Sequence, residues 1–235
     1  MDWKLRIQVL EVRFTNGFRY LDKAGEIGVR LCERHPQLTL DTANLRLSAF
    51  DDDAASVRLE YNHEKLNLTA RGNGKTEIKK YAGDFFAIAF QEIGISNLTR
   101  VGNLNTYVWT LSDKEDANGY VKSMARGLGI GPGIIENADD VRLRSRELHS
   151  FRLRYDSDTT AMVLSGETED ETIQVSGPYA KHFAPHVPSP SHHAKLSADI
   201  FTKAPMSARD FDPDALLDSN EKMLKTRILA PLSNL

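Results

Sequence analysis

Residues 98–111 read LTRVGNLNTYVWTL, and this segment completes the pattern of secondary structure in the first half of the chain. It is rich in β-branched and aromatic residues, which favour a β-strand. Far upstream, Lys4–Phe14 reads KLRIQVLEVRF and alternates apolar with polar residues. A period of two is typical of a long, half-buried strand. The sequence therefore predicts two long strands, and what lies between them determines how they pair.

A helix and two strands are predicted directly after the first strand. Apolar residues recur at three- and four-residue intervals from Leu21 to Cys32, which indicates an amphipathic helix that ends before Pro36. Residues 44–50 alternate as a strand does. Residues 57–70 continue the alternation across a polar interruption, so they form either one bent strand or a further hairpin.

A second helix completes the pattern before residues 98–111. Apolar side chains from Ile78 to Ile93 follow a 3.6-residue period, and Gly94 stands where a C-cap belongs. The resulting order is βαββαβ. This order predicts a ferredoxin-like N-terminal half, with an antiparallel sheet and both helices on one face. The same arrangement occurs in enzymes, RNA binders and assembly modules, so it does not define a function.

The second half is predicted to be mostly extended. A linking helix is expected at residues 113–126, and a final helix at residues 214–229 begins after the start signal Asp212-Pro213. Strand candidates are VRLRSRELHSFRLRY, TAMVLSG, ETIQVSG and HAKLSADIFTKA. We expect an α+β protein with mostly antiparallel sheets and helices on one face. Its parts are the ferredoxin-like half at residues 1–112 and a second part at residues 113–235 packed against it.

The composition of the chain excludes several classes of protein. The 235 residues include 30 basic and 33 acidic side chains, and the net charge of −3 gives no overall attraction to nucleic acid or acidic lipid. Cys32 is the single cysteine, which indicates a reducing compartment. The N-terminus has no apolar signal core, and the longest apolar run, FFAIAF, is far shorter than the ~20 residues of a spanning helix. We expect a cytoplasmic protein with no membrane contact and no cofactor.

Several segments carry a resemblance to a known family. They are EVRF at residues 11–14, the strand–helix stretch at residues 64–94, the Arg-Val-Gly step at residues 100–102, and the closing strand and helix at residues 196–229. In this order they resemble a sporadically distributed family of uncharacterised bacterial proteins. The resemblance implies a bacterial protein related at the level of the fold, and it implies no catalytic residue. The chain departs from the family pattern at residues 103–107, where the family has a second arginine.

A row of arginines is the first candidate site. Residues two apart in a strand share a side, so the arginines between residues 141 and 155 would line one side and the apolar residues the other. Such a row can track the phosphates of RNA or DNA. Alternatively, it is the solvated face of a sheet opposite the acidic residues 167–171. The arginines are Arg142, Arg144, Arg146, Arg152 and Arg154.

A glycine-rich stretch, GLGIGPG, is a candidate phosphate loop. A phosphate loop follows a strand and opens a helix, because the helix N-terminus holds the phosphate. Here a predicted helix precedes the glycines, which favours a helix C-cap followed by a turn. The glycines are Gly127, Gly129, Gly131 and Gly133.

A histidine-rich segment, KHFAPHVPSPSHH, is a candidate metal site. Imidazoles at this density can bind Zn²⁺. Alternatively, the prolines mark an exposed loop in which histidine is an ordinary polar residue. The histidines are His182, His186, His192 and His193.

No nucleophile stands beside a base, and the acidic clusters fall in predicted turns. We therefore expect a non-enzymatic protein that binds another protein, or itself as a homo-oligomer, through a sheet face or the C-terminal helix. Two alternatives stay open. One is RNA or DNA binding by the arginine row, and the other is metal-dependent hydrolysis at the histidine-rich segment.

Overall fold

The computed structural model describes residues 3–15, 17–41, 47–51, 57–71, 77–111, 114–128, 143–144, 147–148, 150–171 and 191–232. The strands in these ranges are β1 (Lys4–Phe14), β2 (Thr39–Asp41), β3 (Leu47–Asp51), β4 (Val57–Tyr61), β5 (Lys65–Arg71), β6 (Asn97–Leu111), β7 (Leu143–Arg144), β8 (Glu147–Leu148), β9 (Ser150–Asp156), β10 (Thr160–Glu171), β11 (Ser191–Thr202) and β12 (Met206–Ser207). The helices are α1 (Tyr20–Arg34), α2 (Glu77–Ile93), α3 (Lys114–Gly127) and α4 (Pro213–Leu224). A π-helical turn at Lys225–Leu229 and a last turn at Ala230–Leu232 continue α4.

One ten-stranded sheet runs through both halves of the chain, in the order β2-β3-β4-β5-β1-β6-β11-β10-β9, with β12 also paired to β6. All of its strand pairs are antiparallel. β7 and β8 form a separate hairpin. The prediction of an α+β fold with a mostly antiparallel sheet is confirmed. The open alternative at residues 57–70 is resolved as a hairpin, because β4 and β5 pair around a turn in which Asn62 accepts hydrogen bonds from two backbone amides.

The helices pack on one face of this sheet and bury two apolar clusters. The first cluster holds Leu10, Val12 and Phe14 of β1 together with side chains of α1 and α2. The second holds Tyr107 of β6 and Leu196 of β11 together with side chains of α3. Alternate residues of each strand enter the clusters, as the two-residue period of a strand requires.

Helix α4 joins the two clusters. Leu217 belongs to the first cluster and Leu224, two turns later, belongs to the second. Asp212 caps the helix by accepting hydrogen bonds from the amides of Asp214 and Ala215, which confirms the predicted start signal. Near its end, Tyr120 of α3 donates a hydrogen bond to the carbonyl of Leu232 at 2.8 Å. The last helix therefore fastens the first half of the chain to the second.

A buried polar chain lies between the two clusters on the helix-covered face. The Gln8 amide donates to Asn105 at 2.9 Å, and the Asn105 amide donates to Asn103 at 2.7 Å. The Asn103 amide in turn donates to the backbone carbonyl of Val9 at 3.0 Å. Three buried amide side chains therefore find partners among themselves and in the backbone, as polar groups removed from water must.

The helix ends follow the sequence closely. Gly94 has a φ of 79°, so it ends α2 in the left-handed conformation that glycine adopts without strain. Helix α3 matches the predicted linking helix and ends at Gly127. Within the described part of the chain, no helix combines the length and the apolar composition that crossing a membrane demands.

Two predicted loops are extended instead. The acidic residues 167–171 continue β10, and His192 of the predicted Pro-rich loop lies in β11 beside His193, where the strand candidate HAKLSADIFTKA begins. The reason is a twelve-residue antiparallel register from Thr160↔Thr202 to Glu171↔Ser191. Polar cross-strand pairs stabilise its far end, including Lys195 with Glu167 at 2.8 Å. Local turn propensity is therefore overridden by pairing with a distant strand.

We predict that Gly166 is needed for the packing of Phe151. These residues face each other across β10 and β9, and a Cβ at Gly166 would lie 2.3 Å from the ring of Phe151. Gly166→Ala should lower the free energy of unfolding by about 1–3 kcal/mol, measured by urea denaturation. The matched control is Gly83→Ala on the exposed side of α2, where a Cβ would meet nothing within 4 Å. The control should be neutral or stabilising by up to about 1 kcal/mol, and a Gly166→Ala protein as stable as the wild type would contradict the prediction.

Candidate functional site

The face of the sheet opposite the helices carries the candidate site, and we call it the open face. No helix in the described ranges packs on it, and its side chains alternate with those of the two buried clusters. It is polar and carries both signs of charge. Its central residues are Val9, Glu11, Arg13, Arg100, Gly102, Leu104, Thr106, Lys195, Ser197, Asp199, Phe201, Val163, Ser165, Glu167, Glu169, Arg152, Arg154 and Asp156.

An ion-pair cluster occupies the middle of the open face. The Glu11 carboxylate lies 2.6 Å from Arg13, 3.4 Å from Lys65 and 3.4 Å from Arg100. Arg100 also contacts Asp199 at 3.0 Å. Arg100 therefore bridges a carboxylate of β1 and a carboxylate of β11. Three residues that are far apart in the sequence meet because their strands are neighbours in the sheet.

The Arg100 guanidinium also rests on an aromatic ring. Its central carbon is 4.4 Å from the centre of the Phe201 ring, a cation–π distance. Gly102 lies between them, and a Cβ there would stand 3.6 Å from Phe201 and 3.8 Å from Arg100. A larger side chain at this position would compete with the guanidinium for the same space. An alanine would still fit there, because the distances from its Cβ are ordinary van der Waals contacts.

The cluster separates the pKa values of its two carboxyl groups. Burial raises the pKa of Glu11, but the hydrogen bond from Arg13 and the charges of Arg13, Lys65 and Arg100 outweigh it, so the net pKa is lowered. Burial raises the pKa of Asp199, and the nearby charge of Glu11 adds to the rise although Arg100 opposes it. Glu11 is thus held charged by its cations, whereas Asp199 binds a proton more readily than an ordinary aspartate.

The predicted arginine row is partly described. Phe151 is buried while Arg152 and Arg154 are exposed on the open face, which agrees with the predicted two-residue alternation. Arg154 pairs with Asp156 at 2.8 Å. Arg152 has no ion-pair partner within the ranges that the structure describes. Of the two described arginines in β9, Arg152 is therefore the better placed to receive an anionic group.

The acidic residues of β10 contact cations other than the β9 arginines. Glu167 pairs with Lys195 at 2.8 Å, and Glu169 pairs with Arg6 at 3.0 Å. The alternative interpretation of the arginine row places these carboxylates opposite the arginines. The difference arises because β10 pairs with β11 on one side and with β9 on the other, and Lys195 of β11 stands directly across from Glu167.

Two shallow grooves share Leu104 and Asp199 and so form one continuous depression across the open face. The larger part has a volume of about 440 Å³. Its apolar floor includes Leu104 and Val163, and Arg152 stands at its wall. Ser150, Ser165 and Ser197 add hydroxyl groups to the lining, and Glu167 and Asp199 add carboxylates.

His192 and His193 do not converge. Successive strand residues point to opposite faces, and the two histidines have different partners. His192 contacts Asp170 at 2.8 Å, whereas His193 lies 3.1 Å from both Thr110 and Ser191. Among the described residues, no group of three or more His, Cys, Asp and Glu side chains could hold a metal ion. A metal site that includes the other two histidines stays a prediction.

Of the remaining predicted site residues, only two lie in the part of the chain that the structure describes. Arg144 lies in the short strand β7, and Gly127 is the last residue of α3. The others lie outside the described residues. They are Arg142, Arg146, Gly129, Gly131, Gly133, His182 and His186.

The sequence gives only a faint signal for the central cluster. Glu11, Arg13, Arg100, Gly102 and Asp199 all fall in segments that carry the family resemblance, but nothing local indicates that they meet. A charged residue at a half-buried position inside an otherwise apolar strand is the one available hint. The partners become visible only when the register of β1, β6 and β11 is known.

No protein-family model matches the chain, and no curated protein matches it. Any assignment of function to the chain therefore rests on the geometry of the open face.

We predict that Glu11 stabilises the protein in a pH-dependent way. A carboxyl group with a lowered pKa contributes stability above its usual pKa of 4.5 and loses it as the pH falls. Glu11→Gln should lower the free energy of unfolding by about 1–3 kcal/mol at pH 7, because hydrogen bonds to a charged acceptor are lost beside three cations. The difference from the wild type should shrink below pH 4.5, as measured by urea denaturation across pH.

The control for this experiment is Glu64→Gln, since the Glu64 side chain is exposed and contacts only His63 among its described ion pairs. It should change stability by less than about 0.5 kcal/mol at every pH. A Glu11→Gln effect that is constant between pH 7 and pH 3.5 would show that the charge of Glu11 is not responsible.

Proposed function

We propose that the protein is a non-enzymatic binding module whose open face docks a partner protein. The observation that carries the proposal is the balanced charge of that face. Cations and carboxylates alternate across β1, β6, β11 and β10, and nearly every described cation at its centre contacts a carboxylate. A surface of this kind complements another protein, which also presents both charges.

The same pairing favours a protein over a polyanion. Nucleic acid gains its affinity from cations that are free to neutralise phosphates. On the open face, Arg13, Arg100 and Lys195 are already neutralised within the protein. A protein partner can replace such contacts one for one, because exposed ion pairs exchange at little net cost and their arrangement governs specificity.

The depression beside Arg152 indicates what part of the partner binds there. It offers an arginine with no described ion pair, three serine hydroxyls and an apolar floor. The two carboxylates that also line it, Glu167 and Asp199, are paired with Lys195 and Arg100. An acidic side chain flanked by an aliphatic one satisfies all three features. We infer that the partner inserts a carboxylate towards Arg152 and places apolar atoms over Leu104 and Val163.

We further propose that residues 1–112 form a ferredoxin-like unit widened by β2 and β3. In support, β4, β5, β1 and β6 are consecutive in the sheet, α1 follows β1, and α2 connects β5 to β6. In such a unit the helices cover one face and leave the other free for binding. The second half of the chain extends this free face through β11, β10 and β9.

The decisive experiment compares charge reversal on the two faces. Purified protein is crosslinked in lysate of its own cells, and partner recovery is quantified for the wild type, Arg152→Glu/Arg154→Glu and Lys222→Glu/Arg227→Glu. The first variant reverses the open face and the second reverses exposed cations of the final helix. We expect at least tenfold weaker recovery for the first variant only, which corresponds to about 1.4 kcal/mol or more.

Sedimentation velocity of the same three proteins tests whether the partner is a second copy. A homo-oligomer that dissociates in Arg152→Glu/Arg154→Glu supports the open face as the interface. If only Lys222→Glu/Arg227→Glu lost the partner, the interface would lie on the final helix, and the proposal would be wrong.

A second candidate is nucleic-acid binding by the arginine row. The observation in its favour is that Arg152 and Arg154 stand side by side on an exposed strand, with the Arg154 guanidinium 6.0 Å from the Phe201 ring. Arginine next to an aromatic ring is a common setting for single-stranded nucleic acid. This candidate is weaker, because Arg154 is paired with Asp156.

Mobility-shift assays with single-stranded RNA and double-stranded DNA test the second candidate. If the row binds, affinity should fall at least tenfold between about 50 and 200 mM salt, since bound counterions are released. It should also fall in Arg152→Ala/Arg154→Ala but not in Lys222→Ala/Arg227→Ala. An absence of any shift at 50 mM salt would dismiss this candidate.

A further inference from the structure

Helix α1 has a second apolar stripe on its outer side. Phe18 is 71% exposed, Leu21 is 65% exposed and Val29 is 55% exposed. Together with Gly25 they are spaced three, four and four residues apart, so they lie on one side of the helix and of the turn that precedes it. We call Phe18, Leu21, Gly25 and Val29 the α1 stripe. The core-facing residues of α1, such as Ile27 and Leu31, lie elsewhere on the helix.

The fold does not account for the α1 stripe. Neither Leu21 nor Val29 belongs to a buried cluster, and the ring of Phe18 stacks only on that of His63 among described aromatic contacts. The three side chains are the most exposed of the large hydrophobic residues in the described ranges. Single exposed hydrophobics are ordinary, but several in one row indicate an interaction surface.

Gly25 supports the same interpretation. A Cβ at this position would meet no atom within 4 Å, so packing within the protein does not require glycine there. Glycine in a helix interior destabilises the helix relative to alanine. A gap in the middle of an apolar ridge allows another backbone or a large side chain to approach closely. The α1 stripe therefore has the shape of a ridge with a central notch.

The charge beside the α1 stripe is negative. Asp22, Glu26 and Glu33 follow one side of it at helical spacing. Asp22 and Glu33 are exposed and have no ion-pair partner within the described ranges. Arg30 pairs with Glu92 of α2 and Arg34 with Asp84 of α2, whereas Lys23 pairs with Glu26, so Asp22 and Glu33 carry the uncompensated negative charge among the described ion pairs.

We propose that the α1 stripe binds an amphipathic α-helix of another protein, whose apolar ridge is flanked by Lys or Arg. The stripe runs over about eleven residues, or roughly 17 Å at 1.5 Å per residue, which is about three turns of a helix. A straight ridge with a notch packs naturally against the ridge of a second helix. The acidic side then requires a cationic side on the occupant.

A second copy of the chain fits this surface poorly. If two α1 helices packed antiparallel about Gly25, their acidic sides would lie on the same side of the interface. Asp22 of one copy would then approach Glu26 of the other, and like charges in contact are unfavourable. Charge complementarity thus favours a basic partner over self-association.

Site-specific photo-crosslinking tests the proposal. The full chain carries p-benzoylphenylalanine in place of Leu21, and the reaction is performed in lysate of its own cells. Mass spectrometry then identifies the crosslinked segment. We expect a helical segment with an apolar stripe and flanking Lys or Arg. Its yield should fall at least tenfold with Val29→Lys and with Asp22→Lys/Glu33→Lys.

Three controls make each outcome decisive. The photo-crosslinker in place of Tyr155, another exposed aromatic residue, should not capture the same segment. Arg152→Glu/Arg154→Glu should leave the yield unchanged, which separates this surface from the open face. The substituted side chains are exposed, so the unfolding midpoints of the variants should match that of the wild type. A crosslink to a second copy, a crosslink to a non-helical or acidic segment, or a yield equal to that at Tyr155 would overturn the proposal.

Discussion

The backbone pairing of β6 with β1 on one edge and β11 on the other is the constraint on which the rest of the structure depends. Because side chains alternate along β6, one register decides both faces at once. Val101, Asn103 and Tyr107 turn towards the helices, while Arg100 and Leu104 reach the open face. A slip by one residue would bury the guanidinium and expose the apolar side chains.

The buried amide chain explains why that register is unique. Apolar clusters alone tolerate alternative arrangements, because one aliphatic side chain substitutes for another at modest cost. Gln8 and Asn105 satisfy each other only when β1 and β6 are aligned as observed, with Gln8 opposite Asn105. Misalignment would leave buried amides without partners, at about 1–3 kcal/mol each. The same pairing carries Glu11 opposite Gly102, where the Arg100 side chain can reach it.

Local patterns in the sequence predict much of the fold but little of the candidate site. The alternation of Lys4–Phe14, the period of α2 and the cap at Asp212 all depend on residues a few positions apart, and each prediction is confirmed. The length of β10 and β11 depends on pairing between distant strands, whereas the local sequence at their polar ends is typical of loops. The ion-pair cluster joins residues 11, 100 and 199, and no local pattern encodes such a meeting.

The two proposed surfaces lie on opposite sides of the sheet, because α1 packs on the helix-covered face and the ion-pair cluster lies on the other. Their chemistry also differs. Exchange of ion pairs on the open face is weakened by salt, whereas burial of an apolar ridge is not. Occupation of one surface does not obstruct the other. If both proposals hold, the chain would bind two different partners at once, and the sheet between the two surfaces would set the distance between them.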